Sequence, residues 1–240
     1  MQVDSRKEFS VKDRTPKQAR SRETVERILE STEELLGTRL FEDLPLAEIL
    51  RKADTSVGAF YARFDGKEAL VPHLYQRYDA TLHAAAARFL APDRWRGRTL
   101  VYRASRIVRF AVREYRRHRG LMRALALHAR TRPRVLTPTQ VENRRGLSDH
   151  AARLLLDARD EIRHADPELA ARQGLFFVLA ACRDKILFAE APHPQLLAVT
   201  DRTLAVELSR ALVAYLTYVP DFTSPPDPGP ASASRGRSHS

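Results

Sequence analysis

The fold is decided by the stretch Thr55-Ser56-Val57-Gly58-Ala59-Phe60-Tyr61-Ala62-Arg63-Phe64, which Lys67-Glu68-Ala69-Leu70 follows closely. A short helix is predicted from Val57 to about Phe64, and Pro45 opens another short helix before it. Asp54-Thr55-Ser56 separates the two. Short helices joined by three or four residues are typical of a helix-turn-helix, which we place at residues 45–64.

The apolar residues of this segment fall on one side and the short or polar residues on the other. Those expected to pack the two helices together are Leu46, Ile49, Leu50, Ala53, Phe60 and Phe64. Those left outside are Ser56, Val57, Ala59, Tyr61 and Arg63. A helix of about two turns fits the major groove of DNA, about 12 Å wide, and its N-terminal residues reach base edges. The segment therefore predicts contact with double-stranded DNA.

With Leu40-Phe41-Glu42 and Leu46-Ala47-Glu48-Ile49 in front of it, the stretch resembles the signature of TetR/AcrR-family transcriptional regulators over about residues 16–75. The stretch combines the pattern Ser-x-Gly-x-aromatic-Tyr-x-x-Phe with Lys-Glu-x-Leu close behind it. This combination is specific to the family, although its separate parts are not. The resemblance implies that Tyr61 and Lys67 contact phosphates, and Arg63, which stands where the family often has histidine or arginine, is a further candidate for DNA contact. The positions it implies nearest the bases are Thr55, Ser56, Val57 and Ala59.

The sequence departs from the family pattern at three places. Leu44-Pro45 stands where small hydroxyl residues usually open the second helix, and Asp54 stands where glycine is usual in the turn. Aspartate tolerates left-handed backbone geometry better than most residues do. Val57 and Ala59 are apolar where Lys and Thr are frequent, so we expect base recognition that relies on thymine methyl groups.

The rest of the chain also shows helical periodicity, without convincing alternating strands. We predict an all-α protein of about nine helices, with an N-terminal three-helix DNA-binding domain and a larger C-terminal helical domain. The later helices are expected at Arg98–His118, Gly120–Arg130, Pro138–Ile162, Pro167–Glu190 and Asp201–Tyr218. The boundaries are a flexible basic arm at 1–15, the DNA-binding domain at 16–75, the larger domain at 76–219 and a disordered tail at 220–240.

Several helix starts carry a capping signal. Thr15-Pro16 and Thr137-Pro138 each have Gln three residues after the threonine, and Asp166-Pro167 is a cap followed by a first-turn proline. Asp65 to Glu68 resembles another capping box. Pro72 would kink the fourth helix, unless the helix begins again at Val71-Pro72.

In the resembled family the C-terminal domain binds a small-molecule effector and forms a dimer. The predicted helices near 167–190 and 201–218 have apolar faces wide enough for a second, intermolecular contact. We therefore expect a homodimer that binds a palindromic operator and releases it when the effector binds. By analogy with the family, repression is expected more than activation.

Composition supports DNA binding only in part. The net charge is +11, but residues 1–67 hold thirteen basic and thirteen acidic residues, and the basic excess there is confined to residues 1–22. Lys12, Arg14, Lys17 and Arg20 of this arm are candidates for the minor groove, or a solvated tail. Cys182 is expected to be a buried apolar residue. The chain has a single cysteine and no signal peptide, which favours a cytoplasmic protein. It has no run of about 18 apolar residues, so no membrane span is expected. We expect no cofactor.

Three features leave alternatives open. Residues 94–134 contain fourteen arginines and only one acidic residue, Glu114, which suits an acidic effector, DNA phosphates or a solvated face. Glu161 and His164 form one Glu-x-x-His step of a helical metal site or enzyme, but such bundles need two steps, and no catalytic motif is present, so we expect no enzyme. A helical adaptor that does not bind DNA is the remaining alternative.

Overall fold

The computed structural model describes residues 16–132, 137–195 and 197–218. This part of the chain is helical and contains no strand, which confirms the all-α prediction. The expected arm at 1–15 and tail at 220–240 lie outside it. The helices are α1 (Pro16–Leu36), α2 (Leu46–Lys52), α3 (Val57–Tyr61), α4 (Leu70–Phe89), α5 (Leu100–Arg117), α6 (Arg119–Thr131), α7 (Pro138–Leu156), α8 (Pro167–Cys182), the single turn α9 (Pro192–Gln195) and α10 (Asp201–Thr217).

Helix starts follow the capping signals in most places. The Thr137 side chain and Gln140 form the expected capping box, and Asp166 caps α8 with Pro167 in its first turn. The Asp65 prediction was wrong, because Gly66 precedes the 3-10 turn Lys67–Ala69 and no side chain caps it. Pro72 falls in the first turn of α4, where the missing N–H has no helical partner to lose, so the helix starts anew there and is not kinked.

The N-terminal helices enclose one apolar cluster that also takes residues from later in the chain. Phe60 and Ile49 are fully buried in it, beside Leu74 of α4. Leu121, Ala124 and Leu125 of α6 belong to the same cluster. The core of the DNA-binding helices is therefore completed by α4 and α6.

The close approach of α6 to α1 depends on Gly120. A Cβ atom at this position would overlap the backbone carbonyl oxygen of Leu36 and lie 2.9 Å from that of Arg39. On the other side, Arg119 donates to the carbonyl of Ile186 over 2.8 Å and pairs with Glu190. The start of α6 therefore packs tightly between the end of α1 and the segment after α8.

The C-terminal core is built around α5, which packs against α7, α8 and α10. α7 and α8 are much shorter than predicted, and α3 ends at Tyr61 instead of about Phe64. α7 ends at Leu156 instead of Ile162, and Arg103 donates to the carbonyl of Leu154 and to the carboxylate of Asp157 there. These contacts satisfy groups that the end of a helix leaves open. α8 ends at Cys182 and continues as a wider π-turn, Arg183–Leu187.

Candidate functional site

The α2–α3 pair packs on a buried apolar core. Phe60 stacks on Phe64 with ring centroids 5.2 Å apart, and both rings are buried with Ile49. Asp54 adopts the left-handed conformation, φ 47°, in the turn between the helices, which agrees with the prediction for this position. Pro45 precedes α2 without a side-chain cap, as the unusual Leu44-Pro45 suggests.

The outer side of α3 faces solvent. The Ser56 hydroxyl caps the helix by accepting from the Ala59 backbone N–H over 3.1 Å. Val57 is 58 % exposed and Tyr61 is 56 % exposed. Thr55 is half-buried, and its hydroxyl donates to the carbonyl of Ala53 over 3.0 Å. Apolar and aromatic side chains at this exposure are available to a partner surface.

Arg63 and Lys67 are engaged within the chain. Arg63 donates to the Ser21 hydroxyl over 3.2 Å and to the carbonyl of Ala59 over 2.6 Å, and so connects α3 to α1. Lys67 donates to the carbonyls of Phe41 and Leu44 over 2.8 and 2.9 Å and lies over the Phe41 ring. These contacts, which sequence analysis did not anticipate, fix the loop between α1 and α2. Of the arm's basic residues, Arg20 lies exposed on α1, while Lys12, Arg14 and the side chain of Lys17 are outside the described residues.

Residues 28–74 match the family model described as bacterial regulatory proteins of the tetR family. This match covers α2, α3, the turn between them and the part of α1 that packs on them. Residues 28–74 therefore form a DNA-binding domain of the TetR family. This match confirms the expected resemblance to TetR/AcrR-family regulators. It also confirms the interpretation of the chain as a helix-turn-helix regulator of transcription.

Solved structures share the TetR-family fold over most of the chain. A tetR-family regulatory protein from Rhodococcus is 17 % identical with a TM-score of 0.58, covering 82 % of this chain and 98 % of its own. A tetR-family regulator from Mesorhizobium loti is 15 % identical with a TM-score of 0.53 over 82 % and 96 %. Reduced NemR from E. coli is 20 % identical with a TM-score of 0.51 over 78 % and 96 %. At these identities the likeness concerns the fold alone. No curated protein matches the chain.

A partly open cavity of about 210 Å³ reaches into the space among α4, α5, α6, α7 and α8. We call this space the interior cavity. Its lining is mostly apolar, with Phe89 and Phe110 stacked 4.3 Å apart at the centroids. Tyr78 lines the cavity and also belongs to the core of the N-terminal helices. The cavity is therefore in direct contact with the DNA-binding domain.

The outer sides of α8 and α10 carry exposed apolar residues. Leu169 and Phe176, two turns apart on α8, are 54 % and 59 % exposed. Gly174 lets α8 approach α10 closely, since a Cβ there would lie 2.5 Å from a methyl carbon of Leu212. The two helices pack as a pair, and further exposed apolar residues on or beside them are Phe177, Leu179, Tyr218 and Val206, the last of which lines the groove between α5 and α10.

The arginine-rich segment has several structural roles. Arg103 is buried and donates to the carbonyls of Trp95, Arg98 and Leu154, and its sequence environment gave no sign of this. Arg116 forms a two-point ion pair with Asp201 of α10. Arg109, Arg113 and Arg117 of the segment line an open groove between α5 and α10, together with Arg202 and Arg210 of α10. Of the aromatic residues in this segment, Phe110 and Tyr115 line the interior cavity, whereas Tyr102 does not.

Glu161 and His164 do not form a helical metal step. Glu161 accepts from the backbone N–H of Leu100 over 3.0 Å, and His164 accepts from that of Asp166 over 3.1 Å, in the loop after α7. Across residues 16–132, 137–195 and 197–218, no three His, Cys, Asp or Glu residues are grouped to hold a metal ion. Cys182 is fully buried, and burial raises the pKa of its thiol to about 12. No helix in the described ranges is long and apolar enough to cross a membrane.

Proposed function

We propose that the chain is a ligand-responsive transcriptional repressor that binds a palindromic operator as a homodimer in the cytoplasm. The observation that carries the proposal is the exposed outer side of α3, held on a rigid apolar support within a TetR-family domain. Base contacts are assigned to the first turn of α3 and the residue before it. They are Thr55, Ser56, Val57 and Ala59.

Phosphate contacts are assigned to Tyr61, Arg63 and Lys67, but not with equal support. The exposed Tyr61 is free to place its hydroxyl on a phosphate oxygen. Arg63 retains Nη2 as a donor after its contacts to Ser21 and Ala59. Lys67 is held by two carbonyls, and so would reach a phosphate only by giving up contacts that position the α1–α2 loop.

The dimer is assigned to the outer sides of α8 and α10, which agrees with the helices expected near 167–190 and 201–218. Large apolar side chains at this exposure are the kind of anchor that a stable interface buries. A two-fold dimer presents two copies of α3, and a spacing of about 34–36 Å between them matches successive major grooves.

The effector is assigned to the interior cavity. Because α4 runs from the N-terminal core to this cavity, a ligand that fits only one position of α4 would favour one spacing of the two α3 helices. Release of the operator is then a shift between two populations of the dimer. This mechanism involves no catalysis by the chain.

The test begins with genome-wide mapping of binding sites for the full chain. The operator found is then titrated by fluorescence anisotropy with two matched variants, Val57→Glu on α3 and Val101→Glu on α5, since both valines are 58 % exposed. A carboxylate on α3 would repel DNA phosphates, so we expect Val57→Glu to weaken binding by about 100-fold or more and Val101→Glu to leave it unchanged. Equal binding by both variants would place the DNA contact outside α3, and no salt-sensitive binding by the parent would favour the helical adaptor.

A further inference from the structure

The interior cavity has a polar end and an apolar end. Tyr78 and Phe89 both line it from α4, and eleven helical residues separate them by about 16 Å. Glu114, Tyr115 and Arg144 all act electrostatically on Tyr78, so they gather at its end of the cavity. The other end is lined by aromatic and aliphatic groups, namely Ala86, Phe89, Leu90, Ile107 and Phe110.

At the polar end, Arg144 of α7 is a cation with little to balance it. Its guanidinium lies over the rings of Tyr75 and Tyr78, 4.6 and 5.9 Å from their centroids. Its Nε atom is buried without a hydrogen-bond partner. No carboxylate in the described part of the chain forms an ion pair with it. A buried donor of this kind costs stability until an acceptor reaches it.

Glu114, the carboxylate at the same end, already has the Arg113 guanidinium beside it, whereas burial lowers the pKa of the neighbouring His118 and favours its neutral ring. Glu114 is 6 % exposed, and its oxygens lie 3.7 Å from Nε2 of His118 and 3.8 Å from Nε of Arg113. Of the two charged residues that line the cavity, Arg144 is therefore the one without an ion-pair partner among the described residues; the buried carboxylate of Asp79, which also acts on Tyr75, does not line it. An anion is favoured there, and a cation is not.

Two neutral donors support the same site. Ser148 lies one turn after Arg144 on α7, and Tyr115 faces the cavity from α5. Neither hydroxyl has a hydrogen-bond partner within the described ranges. Burial raises the pKa of Tyr115, which keeps its phenol protonated as a donor. A guanidinium and two hydroxyls suit the two oxygens of one carboxylate.

We propose that the interior cavity binds a hydrophobic monocarboxylate, with its carboxylate on Arg144 and its apolar body along α4 toward Phe89. The assignment rests on the proposed function only in taking this cavity as the effector site. Tyr75 and Tyr78 belong to the core of the N-terminal helices. A carboxylate that draws Arg144 from their rings changes the contact between α7 and α4, and this connects the ligand's charge to the DNA-binding domain.

The test compares three probes with the same eight-carbon chain: octanoate, octan-1-ol and octylammonium. Calorimetric titration of the full chain is expected to give a Kd for octanoate about tenfold or more below that of the other two. Arg144→Gln is expected to remove this preference and to leave octanol binding unchanged, which shows that the cavity has stayed intact. Arg145→Gln is the matched control, because Arg145 is an exposed neighbour that pairs with Glu142 over 3.5 Å.

Equal affinity for all three probes, or no binding of octanoate, overturns the assignment. Tighter binding of octylammonium that is lost in Glu114→Gln also overturns it. Because these titrations contain no DNA, they test the ligand class independently of the proposed release of the operator by the effector. If octanoate binds and operator affinity is unchanged, the ligand class stands and effector-driven release fails. If another compound releases the operator and octanoate does not bind, release stands and the ligand class fails.

Discussion

At the scale of single residues, Val57 gives α3 an unusual means of reading DNA. An exposed valine in the first turn has no hydrogen-bonding group and can contribute only apolar contact, for which the thymine methyl is the complementary group in the major groove. We expect that replacing the contacted thymine by uracil raises the operator Kd about threefold to fivefold, the value of one buried methyl group. Anisotropy titrations of the two operators give this ratio.

Measuring the operator Kd for the thymine-to-uracil replacement with the Val57→Ala variant as well completes a double-mutant cycle. The uracil operator should then bind almost as well as the thymine operator, because the methyl contact is already lost. An equally large uracil effect in both proteins would assign the methyl to another side chain. A selected operator with guanines facing positions 57 and 59 would contradict the prediction more directly.

Lys67 is a residue for which family resemblance and geometry point to different roles. Removing its amine would leave the carbonyl of Leu44 without its donor and that of Phe41 with the Leu44 N–H alone, at a cost of about 1–3 kcal/mol in unfolding free energy. We expect Lys67→Met to lower the urea midpoint accordingly. Lys52→Met is the control, since Lys52 makes only an exposed pair with Glu34 at 2.7 Å that contributes little.

If Lys67 acts on phosphate instead, stability will change little. The slope of log K against log salt will then fall by about 0.9, the value expected for one phosphate contact. The two measurements on one variant therefore separate an anchor of the α1–α2 loop from a DNA contact.

At the scale of elements, α6 is the piece that connects the two parts of the molecule. Ala at position 120 would push against the carbonyl of Leu36, a backbone group that cannot turn aside, and overpacking of this kind costs about 1–3 kcal/mol. We expect Gly120→Ala to lower Tm by about 2–10 °C and to weaken operator binding, as measured by calorimetry and anisotropy.

Gly146→Ala is the matched control for this substitution. Gly146 lies inside α7, and a Cβ there meets no atom within 4 Å, so alanine should stabilise the helix by about 0.5–1 kcal/mol. A Gly120→Ala protein as stable as the parent would show that α6 moves away from α1 freely.

The elements that sequence could predict are those with a local cause. Thr137 and Asp166 cap helices as predicted, because each cap needs only residues three positions apart. The exposed side of α3 followed in the same way from spacing within ten residues. The buried role of Arg103, the tight packing at Gly120 and the early end of α7 depend on partners 50 or more residues away, and no local pattern contains them. The cavity is non-local for the same reason, since five helices form it.

At the scale of the whole molecule, DNA binding and assembly should fail together. Phe176 is 59 % exposed on α8, in the surface assigned to the dimer. A charge buried in an interface without a partner costs several kcal/mol, so Phe176→Asp should convert the dimer to a monomer in size-exclusion chromatography with light scattering. The monomer offers a single α3, and loss of the second half-site should weaken operator binding by about 100-fold or more.

Val141→Asp places the same charge on another exposed apolar position, on α7, and should leave both assembly and binding intact. Circular dichroism of the Phe176→Asp monomer should retain its helical signal, because this side chain points away from both apolar clusters. If the variant remains a dimer, the interface lies on another surface. If it is a monomer that binds the operator as tightly as the parent, one domain suffices for recognition, and the effector cannot act through the spacing of two α3 helices.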